Sequence, residues 1–237
     1  MIQFVTVNFN TQDFTEHLIR SINKFVPDAV ITVFDNSDKV PFTNTFTNVS
    51  VLDNTKSQLI DFDKFIKKYP MRMRSDGHWN KWASAKHCYT IQHCMDIFDD
   101  GFFLLDSDCL LKKDCSALVT TQHAYAGQVI LQDNNIERVC PYFCYINTKM
   151  CKERGLKFFD DKWMHGLHTG IGDKYDTGAA FHIHTKDQPR LLIDVEEYMV
   201  HYGHASWVSS LHNKNRKKED FFKKYEELWK NVQTTEN

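Results

Sequence analysis

The first thirty-eight residues constrain the fold more than any other stretch. Ile2 to Val7 is a short β-rich run, broken by Asn8-Phe-Asn-Thr-Gln-Asp13. Thr11 is placed to cap a helix, with Asp13 and Glu16 in the first turn, where the helix dipole favours negative charge. Phe14, Leu18, Ile22 and Phe25 then recur at the spacing of one helical face. Pro27 and Asp28 stop the helix, and Ala29 to Phe34 is a second strand running into Asp35-Asn-Ser-Asp38. Strand, helix and strand in that order read as a right-handed crossover between parallel neighbours.

The following segments extend the alternation. Val49 to Leu52 reads as a third strand, Gln58 to Tyr69 as a short helix closed by Pro70, and Met71 to Trp79 as irregular. A helix is expected from about Asn80 to Phe98, with Cys88, Ile91, Met95 and Phe98 as its apolar stripe and Lys86 and His87 in its first half. It delivers the chain into the strand Phe102 to Leu105. The expected architecture is an α/β sandwich with a mostly parallel sheet.

Later segments are less regular. Ala124 to Leu131 and Val139 to Ile146 are expected to pair as a hairpin around Asp133-Asn-Asn135, making the sheet mixed. Asn147 to Arg154 reads as a helix ended by Gly155, and Phe158 to Tyr175 as a long loop. Asp176 or Thr177 is expected to cap the next helix. Arg190 to Asp194 and Tyr198 to His201 read as strands. Lys214 to Lys230, basic at its start, carries the aromatic stripe Phe221, Phe222, Tyr225, Leu228 and Trp229. The division expected is one catalytic domain over residues 1–210 and a basic, aromatic helical extension over 211–237. That extension is a candidate peripheral membrane contact, because basic residues beside aromatics suit an anionic interface.

Composition narrows the class. A formal charge of −2 argues neither for nor against an anionic partner. No apolar run approaches the roughly 18–20 residues that span a bilayer, and the N-terminus has no signal-peptide pattern. Seven cysteines, scattered through apolar segments, read as reduced core residues of a cytoplasmic protein. Cys140-Pro-Tyr-Phe-Cys144 has no second pair at zinc-ligand spacing, so zinc is not expected.

The chemistry concentrates where Phe102 to Leu105 runs into Asp106-Ser-Asp108. Residues two apart in an extended segment project to one side, so both carboxylates can meet at one point. That point lies past the carboxyl end of a buried strand, where open α/β sheets bind ligands. Paired carboxylates suit Mg²⁺ or Mn²⁺, which prefer oxygen ligands and share them with phosphate. Asn8 and Asp35-Asn36-Ser37 end the first two strands at the same edge, and Asp35 suits a base NH or a ribose hydroxyl. No Gly-x-Gly-x-x-Gly follows the first strand, and no P-loop is present.

These islands resemble glycosyltransferase family 2-like proteins of the GT-A fold. The resemblance rests on the opening strand with Asn8, on Val33-Phe-Asp-Asn-Ser37, and on Ser84-Ala-Lys-His87 ahead of Leu104-Leu-Asp-Ser-Asp108. It continues in Tyr175-Asp-Thr-Gly178 and His201-Tyr-Gly-His-Ala-Ser206, covering roughly residues 1–206. It implies sugar transfer from a nucleotide-diphospho-sugar to an acceptor hydroxyl, a glycan by default, with a divalent metal on the diphosphate. By the resemblance Asp35 meets the nucleoside, and Asn8, Asn36, Lys86, His87 and Asp106 are donor contacts. Asp106 and Asp108 serve the metal, Asp108 more strongly, with His201 as a further metal contact and His204 next in line. Asp176 is the expected base of an inverting displacement and Asp173 its competitor, although the family's acidic-pair base motif is not present. A sugar-nucleotide nucleotidyltransferase would need a Gly-rich, basic loop after the first strand, which Asn8-Phe-Asn-Thr-Gln-Asp13 does not supply. The remaining alternative is a non-catalytic nucleotide-sugar-binding module.

Overall fold

The structure is a computed structural model that describes residues 1–68, 82–131, 136–160 and 176–202, and the helical positions Lys223, Glu226, Glu227 and Lys230. Its first unit is β1 (Ile2–Asn8), α1 (Gln12–Phe25) and β2 (Ala29–Asp35), as the periodicity predicts. Then come β3 (Val49–Asp53), α2 (Phe62–Lys68), α3 (Trp82–Ile97), β4 (Phe102–Asp106) and β5 (Cys109–Leu111). The remaining elements are β6 (Tyr125–Leu131), β7 (Glu137–Ile146), α4 (Thr148–Arg154), α5 (Ala179–Thr185), β8 (Leu191–Leu192) and β9 (Met199–His201).

Seven strands form one sheet in the order β3-β2-β1-β4-β7-β6-β8. β3, β2, β1 and β4 run parallel, and β7 is antiparallel to both β4 and β6. Outside that sheet, β5 and β9 pair as a short antiparallel ribbon. The mixed, mostly parallel α/β/α sandwich matches the expectation.

β4 explains why its sequence is continuously apolar. Phe102 and Leu104 enter a core with Ile91, Cys94 and Met95 of α3 and with Phe181 of α5. Phe103 and Leu105 enter the opposite core with Leu18, Ile19 and Ile22 of α1. All four are at most 1% exposed. A strand covered on both faces needs apolar residues at every position, and each such side chain contributes about 1.5–3 kcal/mol. The strand is thereby fixed as the floor for Asp106.

Several boundaries differ from expectation. α2 starts at Phe62 rather than Gln58, because Leu59 and Ile60 donate their backbone N–H groups to Asn54 Oδ1 in the preceding turn. The strand expected over Arg190–Asp194 contracts to Leu191–Leu192, since Asp194 caps a 3₁₀ turn at Val195–Glu197 by accepting from Glu196 N. The β6–β7 hairpin forms, with a register irregularity between Gly127 and Val129: they pair with Cys144 and Val139, so β7 bulges over Cys140–Phe143. The loop over 161–175, Asp173, His204, the division at residue 210 and almost all of the expected extension lie outside the described residues.

Candidate active site

β1 and β2 end together, with Asn8 opposite Asp35, and Val7 lies opposite Asp106 of β4. The sheet thus gathers the expected residues along one carboxyl edge. Asn8 Nδ2 donates to Asp35 Oδ1 (2.8 Å) and Ser37 Oγ (2.9 Å). Asn8 Oδ1 accepts from Thr11 Oγ1 (2.9 Å) and Thr15 Oγ1 (2.8 Å). Asp35 Oδ1 also accepts from Ser37 N and Ser37 Oγ, and Asp35 Oδ2 accepts from Phe42 N at 2.7 Å. Both residues are 1% exposed. Asn8 and Asp35, expected from the sequence as donor contacts, are held by hydrogen bonds to each other and to the β2 loop. They stand together at the carboxyl edge of the sheet.

Thr11 stands at the N-cap position of α1 without making a capping bond. Its hydroxyl instead lies 3.1 Å from Ser107 Oγ, tying the Asp-Ser-Asp turn to the Asn8 network. Half-buried Asn36 spans from β2 to α3, donating to Thr90 Oγ1 at 3.0 Å and accepting from Asn54 Nδ2 at 2.9 Å. Lys86 is half-buried, its ammonium 4.9 Å from the Phe62 ring centroid. Burial pulls its pKa down against the charges of Asp63 and Asp38, which places it on the β2 side of the crevice.

Each carboxylate of the turn faces a histidine. His87 Nε2 of α3 is 3.6 Å from Asp106 Oδ1, and His201 Nε2 of β9 is 3.3 Å from Asp108 Oδ1. The ribbon creates the second contact by setting Cys109 opposite His201, with Tyr202 N donating to Asp108 O at 3.0 Å. Burial pushes the Asp106 carboxyl up, the charge of His87 opposes this, and the charge of Asp108 adds to it. Burial pulls His201 down, but the hydrogen bond and charge of Asp108, with the charge of Asp106, outweigh it, so the imidazole sits above 6.5.

Asp108, Cys109 and His201 bring one ligand atom each within 4.8 Å of one another. The thiol of Cys109 does not suit a cation: it is fully buried, donates to Tyr142 O at 3.2 Å, and is raised well above 9.0 by burial. Asp106 fits better, because its Oδ1 is buried with no hydrogen-bond partner. With His87 at 3.6 Å, beyond hydrogen-bond reach, that buried oxygen costs stability unless something completes it. Of the three groups that lie within 4.8 Å of one another, Asp108 and His201 have the chemistry that suits Mn²⁺ or Mg²⁺, and Asp106 is the neighbouring carboxylate of the same turn. Cys140 and Cys144 pack into opposite cores.

Asp176 is partly buried at the start of the turn before α5. Its Oδ1 accepts from Thr177 N at 2.8 Å, and its Oδ2 is 3.6 Å from Arg138 Nη1. The helix cap expected at Asp176 or Thr177 falls instead on Gly178, whose φ of 90° and close approach to Val139 exclude a side chain. Sequence reasoning missed Arg138 and Tyr142 on β7. The Tyr142 ring stacks on His201, centroids 4.1 Å apart and planes 14° apart. Tyr142 lies in the β7 bulge, and bulges commonly re-aim side chains beside active sites. Its only sequence signal is Pro141, a residue that central strands tolerate at bulges. His182 and His184 of α5 pair with Glu137 (3.1 Å) and Asp160 (2.8 Å).

The sheet order, the antiparallel β7 and the acidic turn after β4 define the GT-A fold of glycosyltransferases. Solved structures bear this out. The galactosyltransferase LgtC, in complex with donor and acceptor sugar analogs, aligns over 82% of this chain and 74% of its own, with 11% identity and a TM-score of 0.52. The glycosyltransferase GlyE of Streptococcus pneumoniae aligns over 83% of this chain and 46% of its own, with 12% identity and a TM-score of 0.52. Mouse xyloside xylosyltransferase 1 aligns over 82% and 86%, with 10% identity and a TM-score of 0.51. At such identities the likeness is one of fold. No protein-family model and no curated protein sequence matches the chain.

Proposed function

We propose that this chain is a metal-dependent glycosyltransferase that moves a sugar from a nucleotide-diphospho-sugar to a glycan hydroxyl. The observation that carries the reading is the Asp106-Ser107-Asp108 turn at the carboxyl edge of β4, with His201 brought to Asp108 by the β5–β9 ribbon. The glycosyltransferases that share the fold support the same class. Asp106, Asp108 and His201 would hold Mn²⁺ or Mg²⁺. When bound, the cation supplies Lewis-acid neutralisation of charge developing on the departing diphosphate.

The chain's own groups supply the rest. The buried Asn8–Asp35–Ser37 network holds the two strand ends rigid on the nucleoside side, with Asn36, Lys86 and His87 as further donor-side groups. Tyr142 fixes the plane of His201 by stacking, as outer-shell partners fix metal-binding imidazoles. Asp176 is assigned as the base that takes the acceptor hydroxyl proton while the oxygen attacks the anomeric carbon, with inversion. All seven cysteines are buried thiols, which supports residence in a reducing compartment.

The test is a panel of nucleotide-sugars with Mn²⁺, reading diphosphate release and thermal shift together. Metal-dependent release or transfer is expected from wild type, and Asp108→Asn should lose it. Binding without turnover would identify a binding module. Unchanged metal-dependent donor binding in Asp108→Asn would overturn the assignment.

A further inference from the structure

Among the described residues, Arg138 is a cation at this crevice that the proposed reaction has not used. The last β4–β7 pair is Leu105 with Phe143, so residues 138–142 of β7 run on past the end of β4 at the site edge. The Arg138 side chain is 19% exposed. Its contacts are nevertheless long: Nη1 lies 3.6 Å from Asp176 Oδ2 and 3.4 Å from Thr177 O, and Nε is buried with no hydrogen-bond partner. Charge-assisted guanidinium bonds settle at about 2.7–2.9 Å. A desolvated guanidinium held this loosely is costly as it stands. Its charge acts weakly on both Asp106 and His201, the last of the influences on each. Its planar fork matches phosphate oxygens, and the cation is permanent.

We propose that Arg138 binds the diphosphate of the donor, taking a phosphate oxygen on the Asp176 side of the crevice. This rests on the nucleotide-sugar reading above and adds a direct protein contact to the group that leaves. A phosphate oxygen at Arg138 competes with the long Asp176 contact, so donor binding also frees the Asp176 carboxylate to accept a proton.

The test is calorimetric titration of the full chain with inorganic pyrophosphate and with the uridine, guanosine, adenosine, cytidine and thymidine diphosphates, in Mn²⁺ and again in EDTA. Wild type, Arg138→Gln, Arg138→Lys and Asp176→Asn are compared, with melting temperatures as the folding control. Arg138→Gln is expected to weaken the best diphosphate by about ten- to a hundredfold, the worth of one charge-assisted bond. Binding of the matching nucleoside should stay within about twofold, and the loss should persist in EDTA because the contact is direct. Asp176→Asn should bind the diphosphate as well as wild type or better. Were Arg138→Gln not to fold, Arg138→Lys carries the test, with weakening of at least about threefold expected from loss of the fork. Diphosphate affinity within about twofold of wild type in the folded variant overturns the proposal alone. So does equal, non-additive weakening by Arg138→Gln and Asp176→Asn, which would make Arg138 only a brace. If wild type binds no diphosphate, the nucleotide-sugar reading falls as well.

Discussion

Gly178 connects the fold to the turn that carries Asp176, and replacing it with alanine separates two costs that usually appear together. At a φ of 90°, a side chain is disfavoured by about 1–2 kcal/mol. An added Cβ would also sit 2.1 Å from Val139 O, a backbone atom of β7 whose own N–H is bonded to Gly178 O. β7 lies between β4 and β6 and has little room to yield, so overpacking adds about 1–3 kcal/mol. The sum is about 3 kcal/mol, which lowers the melting temperature of a chain this size by about 6–12 °C. Gly155 is the control: its φ is 64°, but nothing lies within 4 Å of an added Cβ. Gly155→Ala should pay the conformational cost alone and lose about 3–6 °C. Calorimetric melting of both variants is the assay. In Gly178→Ala, Mn²⁺ affinity should hold while sugar transfer falls, because the ribbon bearing Asp108 and His201 is separate from the displaced turn. Equal melting losses in the two variants would refute the steric argument.

Other outcomes follow from the site. Asp108→Asn should weaken Mn²⁺ binding by at least the roughly 10–100-fold that outer-shell losses cost, as measured by titration calorimetry. Because His201 sits above 6.5 and must lose its proton to bind metal, Mn²⁺ affinity should rise as pH climbs through a midpoint above that value. In metal-free protein the sign reverses: His201 stabilises the fold fully below 6.5, and that contribution is lost as pH rises through its folded value. Flat pH profiles in both measurements would remove the Asp108–His201 pairing. Asn8→Ala should lower stability by about 2–4 kcal/mol, since it removes one buried bond to Asp35 and leaves the buried Thr15 hydroxyl without Asn8 Oδ1. An unchanged melting curve there would show that Asn8 is no structural keystone.

The strand–helix–strand opening was legible because its signals are local: period in α1, Pro27 at its end, β-rich runs on either side. The acidic turn was legible for a related reason, since a strand buried on both faces announces itself as an unbroken apolar run. What sequence reasoning could not supply was the destination of individual polar atoms. Thr11 reads as a cap, and only the folded chain shows its hydroxyl turned to Ser107 in the distant turn after β4. Asp35 reads as a group for a base NH or a ribose hydroxyl, and the fold adds bonds to its oxygens from Phe42 N and Ser37. Arg138 and Tyr142 were missed because their positions depend on the β7 bulge and on how far that strand overruns β4. Local propensity encodes neither.

The β5–β9 ribbon has a consequence for the behaviour of the chain as a whole. It has three residues on each side, and an isolated two-stranded pair of that size has little stability of its own. Cys109, Leu111 and Met199 anchor it to the core beneath α1. Any ion bridging Asp108 and His201 would act as a clasp between opposite halves of the polypeptide, adding its binding energy to that of folding. Local opening of the ribbon would then become rarer as cation concentration rises, and amide exchange in Cys109–Leu111 and Met199–His201 would report site occupancy without any substrate.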